Sequence, residues 1–210
     1  MIMQHLREFF ARFSVFRKVA PVDSVDSFCD FLATRAAFVS QKKLYEYVKT
    51  RMGLNYPKAF ADDAFIASLN IAKWHVYAAC LSDLAIWMGA QVNQRTGDAA
   101  AARALATYAF DQAVRTRIDP AGFTGDLDAL VHEFEARAAL VDWSAMAEGE
   151  AAFSTSPKAL VKWAPISDEL KKFDVEIVLN SLRFAWLAMR QQFRDAADVE
   201  GVAADWKTRD

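Results

Sequence analysis

The feature that most constrains the fold is a long, almost uncharged segment covering residues 62–93. It contains no proline, its only glycine is Gly89, and the only formal charges between Ala64 and Val92 are Lys73 and Asp83. A helix of this length that is apolar on every side is typical of a helix buried at the centre of a protein. We therefore predict an all-α fold, a single-domain bundle of five to seven helices around a buried central helix at about residues 62–93.

Small side chains recur along one edge of the predicted central helix. Ser68, His75, Ser82 and Gly89 follow one another at intervals of seven residues. Small residues allow another helix to approach closely, so this row predicts a tight helix–helix contact. The segment is long enough to cross a bilayer, but Asp83 at mid-bilayer would cost about 3 kcal/mol. A core helix of a soluble domain is the favoured interpretation.

The N-terminal segment, residues 1–20, is predicted to form a separate amphipathic helix that Pro21 ends. Its polar side is basic, with Arg7, Arg12, Arg17 and Lys18. Its apolar face consists of Ile2, Leu6, Phe9, Phe10, Phe13 and Phe16. Such a helix can pack on the body of the protein, or lie on an anionic membrane surface. The helical bundle domain is assigned to residues 21–197, and residues 198–210 to a C-terminal tail that frays from Gly201 onward.

Apolar periodicity and capping residues predict the other helices. We expect them at about residues 24–52, 98–117, 126–146 and 168–195, with a short helix at 157–163. The last long helix has two apolar faces, one with Phe173, Ile177 and Phe184, the other with Leu182 and Trp186. An apolar surface on two sides predicts that this helix is a core partner of the central helix.

Polar residues on these two helices give the candidate site. Glu176, Asn180 and Arg183 form a polar strip on the last helix, and antiparallel packing would place that strip against Lys73, His75 and Asp83 of the central helix. Charged groups inside a bundle are candidates for function, although an ion-pair network with a structural role is the alternative. A catalytic triad within the central helix is excluded, because His75 and Ser82 are about 10 Å apart along the axis.

No motif for a cofactor, a metal or nucleic acid stands out. Asp128, His132 and Glu135 share a helical face, but the Glu-x-x-His pair of di-metal bundles is missing, so no metal and no cofactor are predicted. Basic and aromatic residues alternate in residues 35–51, a pattern that can hold nucleic acid. Since the whole chain has a net charge of −2, nucleic acid is not favoured as a partner.

The function predicted from these observations is a non-catalytic helical interaction or scaffold module. A protein partner or self-association is expected because 54% of the residues are apolar, and residues 2–19 offer a route to peripheral membrane contact. Two isolated cysteines, Cys29 and Cys80, favour the reducing cytoplasm over a disulfide scaffold. The alternative is a small-ligand-binding protein or an enzyme, with a polar pocket between the central and last helices; the sequence leaves open whether the chain is an enzyme.

Overall fold

A computed structural model describes residues 20–209. The predicted amphipathic helix at residues 2–19 lies outside this range. The described chain folds into helices joined by short turns, and the all-α class is confirmed. The elements, in chain order, are α1 (Val25–Met52), a 3-10 turn (Gly53–Asn55), α2 (Tyr56–Ala59), α3 (Asp63–Thr96), α4 (Ala99–Arg117), α5 (Leu127–Leu140), α6 (Trp143–Met146), α7 (Ser156–Trp163), α8 (Asp168–Lys171), α9 (Val175–Ala196) and α10 (Val199–Lys207).

Local sequence signals set the ends of the long helices. Ser24 caps α1 by accepting a hydrogen bond from the Ser27 backbone, and the Ser27 side chain returns a bond to the Ser24 backbone. Asp62 caps α3 through the amides of Ala64 and Phe65. Gly97 ends α3 with φ 72°, a left-handed conformation that glycine adopts without steric cost.

The central helix α3 is buried most completely in its second half. Every residue from 76 to 93 is buried, on all sides of the helix. Residues 63–71 are exposed or partly exposed, so the buried rod is shorter than the predicted 62–93. Helices α1, α4, α6, α7 and α10 surround the buried half. This arrangement confirms the predicted bundle around a buried central helix. The neighbouring helices pack on the second half of α3 because that half is strongly apolar.

The predicted close helix contact occurs at Gly89. A Cβ atom on Gly89 would lie 2.6 Å from the Trp143 ring, 3.0 Å from the Ala106 Cβ and 3.1 Å from the Ala102 carbonyl oxygen. The absence of a side chain therefore lets α4 and α6 pack directly on the α3 backbone. His75 and Ser82, which belong to the same row, line a surface groove instead.

Two predicted helices are each divided in the structure. The segment 126–146 splits into α5 and α6 because the Asp142 side chain accepts hydrogen bonds from the Ser144 and Ala145 amides and starts a new helix. The segment 168–195 splits into α8 and α9 before Asp174. Asp174 is buried and directs its carboxylate to α1 rather than to its own helix end.

The prediction of a frayed C-terminal tail is wrong for residues 199–207. These residues form α10, whose Val202 is buried against α1 and α3. The Trp206 ring packs against Tyr108 at 5.4 Å between centroids. The Asp205 carboxylate accepts a 2.8 Å hydrogen bond from the Val25 amide, which ties α10 to the start of α1. Apolar burial on one face and this bond hold the helix in place.

Between residues 20 and 209, no helix combines the length and the apolar character that a membrane span needs. An isolated pairing of Val22 with Ala197 brings the start of the described chain beside the end of α9.

Gly89→Ala tests the close packing at the centre of the bundle. Helix propensity alone would make this change stabilising by about 1 kcal/mol. We expect the opposite sign, a net loss of about 1–2 kcal/mol, because overpacking a tight contact costs about 1–3 kcal/mol. Urea unfolding followed by circular dichroism measures the difference. A variant more stable than the wild type would contradict the contact with Trp143.

Candidate functional site

Asp83 is the centre of the main polar network in the interior. Its side chain is fully buried in the middle of α3. Its carboxylate accepts hydrogen bonds from the Ser156 amide at 2.7 Å and the Thr155 amide at 3.1 Å, at the first turn of α7. Arg137 of α5 forms an ion pair with it at 2.9 Å. The carboxylate therefore stabilises the N-terminus of α7, where unpaired amides and the helix dipole favour a negative charge.

Arg137 extends the network to the neighbouring chain segments. One guanidinium nitrogen donates to the Ser82 hydroxyl at 2.6 Å, and the other donates to the Ala152 carbonyl at 2.8 Å. The Ser156 hydroxyl accepts a 3.2 Å bond from the Trp186 indole of α9. The network thus connects α3, α5, α7 and α9 through directional bonds. Such a network fixes the relative positions of helices that apolar packing alone would hold less specifically.

Burial controls the ionisation of this interior. It raises the pKa of the Asp83 carboxyl above its ordinary value, and the charge of Arg137 and the donors at Ser156 and Thr155 oppose the increase. Burial also raises the pKa of the Cys80 thiol, and the nearby Asp83 charge adds to the effect. The Cys29 thiol has a pKa of about 11 for the same first reason. Neither thiol is therefore a ready thiolate nucleophile at neutral pH.

A groove lies beside the network, between α3, α5 and α7. Its volume is about 540 Å³, within the size range of small-molecule sites. Ala78, Ala79 and Phe134 line its apolar part. Its charged residues are Lys158 and Lys162 of α7, Arg137 and Glu133 of α5, and Asp126. Because Arg137 is already paired with Asp83, the two lysines face two carboxylates and the charges of the groove balance.

His75 lies at one end of this groove. Its ring stacks on Trp163 at 3.5 Å between centroids, with an angle of 2° between the planes. Its Nε2 atom is 2.8 Å from the Thr124 hydroxyl. Burial lowers the pKa of His75, and the positive charge of Lys162 lowers it further. The imidazole is therefore neutral at pH 7 and takes part in a packed aromatic contact.

The structure does not gather the six predicted site residues into one cluster. It brings Asn180 and Arg183 together on α9, 3.2 Å apart, and Arg183 also pairs with Glu150 at 2.6 Å. The remaining four are separate: Lys73 lies over the Trp74 ring, His75 lines the groove, Asp83 is buried, and Glu176 is exposed. The reason is that the polar strip lies on the exposed side of α9, whose opposite side packs mainly on α1 and α7.

Sequence reasoning missed Arg137, Thr155 and Ser156. A cation for Asp83 was expected, because a buried unpaired charge is costly, but many basic residues could have supplied it. The Ser156–Pro157 pair gave a weak signal, since proline in the first turn of a helix marks an N-terminus that needs an acceptor. The acceptor is Asp83, more than seventy positions earlier in the chain. No local sequence pattern indicates this pairing, because it depends on how the helices pack.

A second buried carboxylate, Asp174, fixes the start of α9. The Tyr47 hydroxyl donates to it at 2.7 Å, and Arg51 forms an ion pair with it. Both donors lie on α1, so the first turn of α9 is held against that helix. The orientation of α9 follows from this connection at one end and from the buried residues along its inner face, which are Val178, Leu182, Trp186, Met189 and Phe193.

The opposite face of α9 is apolar and exposed, so only one of the two apolar faces from which a core helix was predicted is buried. Phe173 is 81% exposed, Ile177 65%, Phe184 75% and Leu187 54%. Phe173 lies in the turn just before α9, and the other three lie on the helix. We call these four side chains, together with Asn180 between them, the α9 seam. Monomeric proteins rarely expose large contiguous apolar patches, and those that do so usually bind something there.

Among residues 20–209, no group of three or more histidine, cysteine, aspartate or glutamate side chains is arranged to hold a metal ion. Comparison of the chain with protein-family models, curated proteins and solved structures found no match.

Arg137→Met tests the buried network. Removing the cation leaves the Asp83 charge buried and unpaired, which typically costs about 3–5 kcal/mol at neutral pH. The pKa of Asp83 then rises further, so the folded state holds a proton that the unfolded chain has lost. The variant should therefore become more stable as the pH falls from 7 towards 5, which urea unfolding at each pH measures.

The matched control is the double variant Arg137→Met with Asp83→Asn. It removes the charge together with its partner, so it should be more stable at pH 7 than the single variant and should lack the increase in stability at acidic pH. Equal stability of the single and double variants at pH 7 would contradict the ion pair.

Proposed function

We propose that the protein is a non-catalytic helical interaction module whose α9 seam binds an amphipathic helix. The observation that carries the proposal is the row of exposed Ile177, Phe184 and Leu187 on a helix whose other face is buried, continued by the exposed Phe173 in the turn before that helix. An interaction surface explains this exposure, because transferring apolar area out of water is the main favourable contribution to protein association.

The spacing of the seam supports a helix as its ligand. The positions 173, 177, 180, 184 and 187 are separated alternately by four and three residues. This is the pattern of a coiled-coil seam, in which each side chain enters a hole formed by four residues of the facing helix. Asn180 at one of these positions supplies the kind of polar residue that selects register and partner at some cost in stability.

The apolar content of the seam is sufficient for a moderate affinity. Burying a large apolar side chain contributes about 1.5–3 kcal/mol, and four such side chains line the seam. The entropic costs of association consume a large part of this gain. The surplus is suited to reversible binding of a single helix rather than to a permanent complex.

The groove between α3, α5 and α7 supports a ligand site less well. Its lysines share the groove with Asp126 and Glu133, and the Arg137 nitrogens are engaged by Ser82, Asp83 and Ala152. His75 is held by Trp163 and Thr124. The groove therefore offers few free polar groups that converge on one point, which is what a specific small-molecule site requires.

We further propose that the protein acts in the cytoplasm. The two cysteines are unpaired: Cys80 is buried, and Cys29 is partly buried on α1. Unpaired thiols are the usual state in a reducing compartment.

A designed peptide tests whether the seam binds a helix. The probe is an 18-residue amphipathic peptide with leucine at heptad positions, added to the isotope-labelled full chain in NMR titrations. We expect amide shifts concentrated along α9. Ile177→Asp combined with Phe184→Asp should weaken binding at least tenfold, since the two side chains together contribute about 3–6 kcal/mol and 1.4 kcal/mol is a factor of ten.

The control is Leu140→Asp on α5, a side chain that is 89% exposed and lies outside the seam. Substitutions at exposed positions change stability by about 0.5 kcal/mol or less, so all these variants should remain folded. The control should bind the peptide as the wild type does. The proposal is contradicted if the seam variant binds the peptide as well as the wild type does. It is also contradicted if millimolar peptide leaves the α9 amides unchanged both in the wild type and in a Phe9→Asp, Phe13→Asp variant of the full chain.

A further inference from the structure

We propose that the α9 seam is covered in the isolated protein by residues 2–16 of the same chain, which dock on it as an amphipathic helix. This inference rests on the proposed function of the seam and names its first occupant. The segment then acts as an internal competitor that a partner helix must displace. Three features support it: the spacing of apolar residues, the point at which the chain enters the described structure, and the lengths involved.

The apolar residues of the segment repeat the spacing of the seam. Ile2, Leu6, Phe9, Phe13 and Phe16 are separated by four, three, four and three residues. The seam positions from Phe173 to Leu187 show the same sequence of intervals. Two helices with the same alternation can pack knobs into holes along their whole common length.

The described chain begins beside the C-terminal end of α9, from which the N-terminal segment can reach the seam. The Val22 amide donates to the Ala196 carbonyl at 2.9 Å, and the Asp198 amide donates to the Val22 carbonyl at 2.8 Å. Residues 2–19 therefore join the body of the protein beside the C-terminal end of α9. A helix formed by this segment would run parallel to α9, with its own C-terminal end near the same place.

The lengths agree with this arrangement. Ile2 and Phe16 are fourteen positions apart, which corresponds to about 21 Å of helix. Phe173 and Leu187 are also fourteen positions apart, and the ten positions from Ile177 to Leu187 span about 15 Å within α9. From Leu187 to Ala197 the helix rises by about 15 Å. The six-residue connection from Phe16 to Val22 reaches up to about 20 Å when extended. The connection can therefore bring Phe16 beside Leu187 without strain.

Covalent attachment makes such docking favourable even when the contact is weak. A helix joined by a short connection has an effective concentration in the millimolar range at its binding surface. A second molecule of this chain, or an external helix, must reach a comparable concentration to compete. The tether therefore favours the segment of the same chain over a second copy at ordinary protein concentrations.

The peptide titration described above, carried out on a second variant, tests the inference. Phe9→Asp combined with Phe13→Asp removes the apolar face of the segment and leaves the seam intact. If the segment covers the seam, this variant of the full chain should bind the designed peptide at least about tenfold more tightly than the wild type, because no competitor remains. The control is Arg12→Asp, on the polar side of the segment, which should bind the peptide as the wild type does.

Hydrogen exchange of the full chain, measured by mass spectrometry, gives an independent result. We expect amides in residues 3–16 to exchange at least tenfold more slowly than in the free peptide of the same sequence. Either Phe9→Asp with Phe13→Asp or Ile177→Asp with Phe184→Asp should abolish that protection, and Leu140→Asp should not. Protection that depends on both surfaces would establish the contact.

The outcomes separate this inference from the proposed function. If the designed peptide binds the seam of the wild type and of the Phe9→Asp, Phe13→Asp variant equally, the inference is overturned and the proposed function stands. If the peptide binds the seam of neither, the proposed function fails. Two other results would overturn the inference: a wild-type dimer that the seam variant dissociates, detected by light scattering, or protection of residues 3–16 that requires vesicles of anionic phospholipid.

Discussion

The architecture depends on how a carboxylate is accommodated inside a helix that is buried on every side. Asp83 lies where α3 contacts neighbours all around its axis, so water cannot solvate its charge. The structure compensates with Arg137 from α5 and with two amides from the first turn of α7. Both elements follow α3 in sequence and must return to it for the charge to be paired. This one requirement therefore places two neighbours of the central helix at defined positions along its length.

Asp174 applies the same principle at the edge of the bundle. A buried carboxylate at the start of α9 is paired with Arg51 and receives a bond from Tyr47, so α9 begins where α1 holds it. Its inner face then packs on α1 and α7, and Trp186 bonds to Ser156 of the Asp83 network. With both its start and its inner face fixed, α9 cannot rotate about its axis. The seam faces outward because these buried polar contacts hold it there, against the tendency of apolar side chains to leave water.

The sequence was informative where a local signal determined the result. The scarcity of charge in residues 62–93 identified the central helix, and Ser24 and Asp98 marked helix starts at which the structure has caps. The sequence could not show which apolar face of α9 is buried, because the inner face with Leu182 and the outer face with Phe184 have similar composition and spacing. It also could not identify Arg137 as the partner of Asp83, since the pairing depends on how distant helices pack. The predicted cluster of six residues assumed that the polar strip of α9 faces α3, whereas the two helices meet through Trp87 and Phe193 and the strip is exposed.

Polar contacts on the opposite side of α9 hold its apolar seam towards the solvent, which limits how the seam can leave water. If α9 were free to rotate or detach, the seam could become buried by local rearrangement, and its exposure would not indicate a binding surface. The Asp174 contact at one end of α9 and the pairing of Val22 with Ala197 at the other oppose this movement. The seam can therefore leave water only against another molecule, or against a part of its own chain outside residues 20–209. A helix with matching spacing can cover the seam. Less entropy is lost on binding when a covalent connection already holds that helix beside α9.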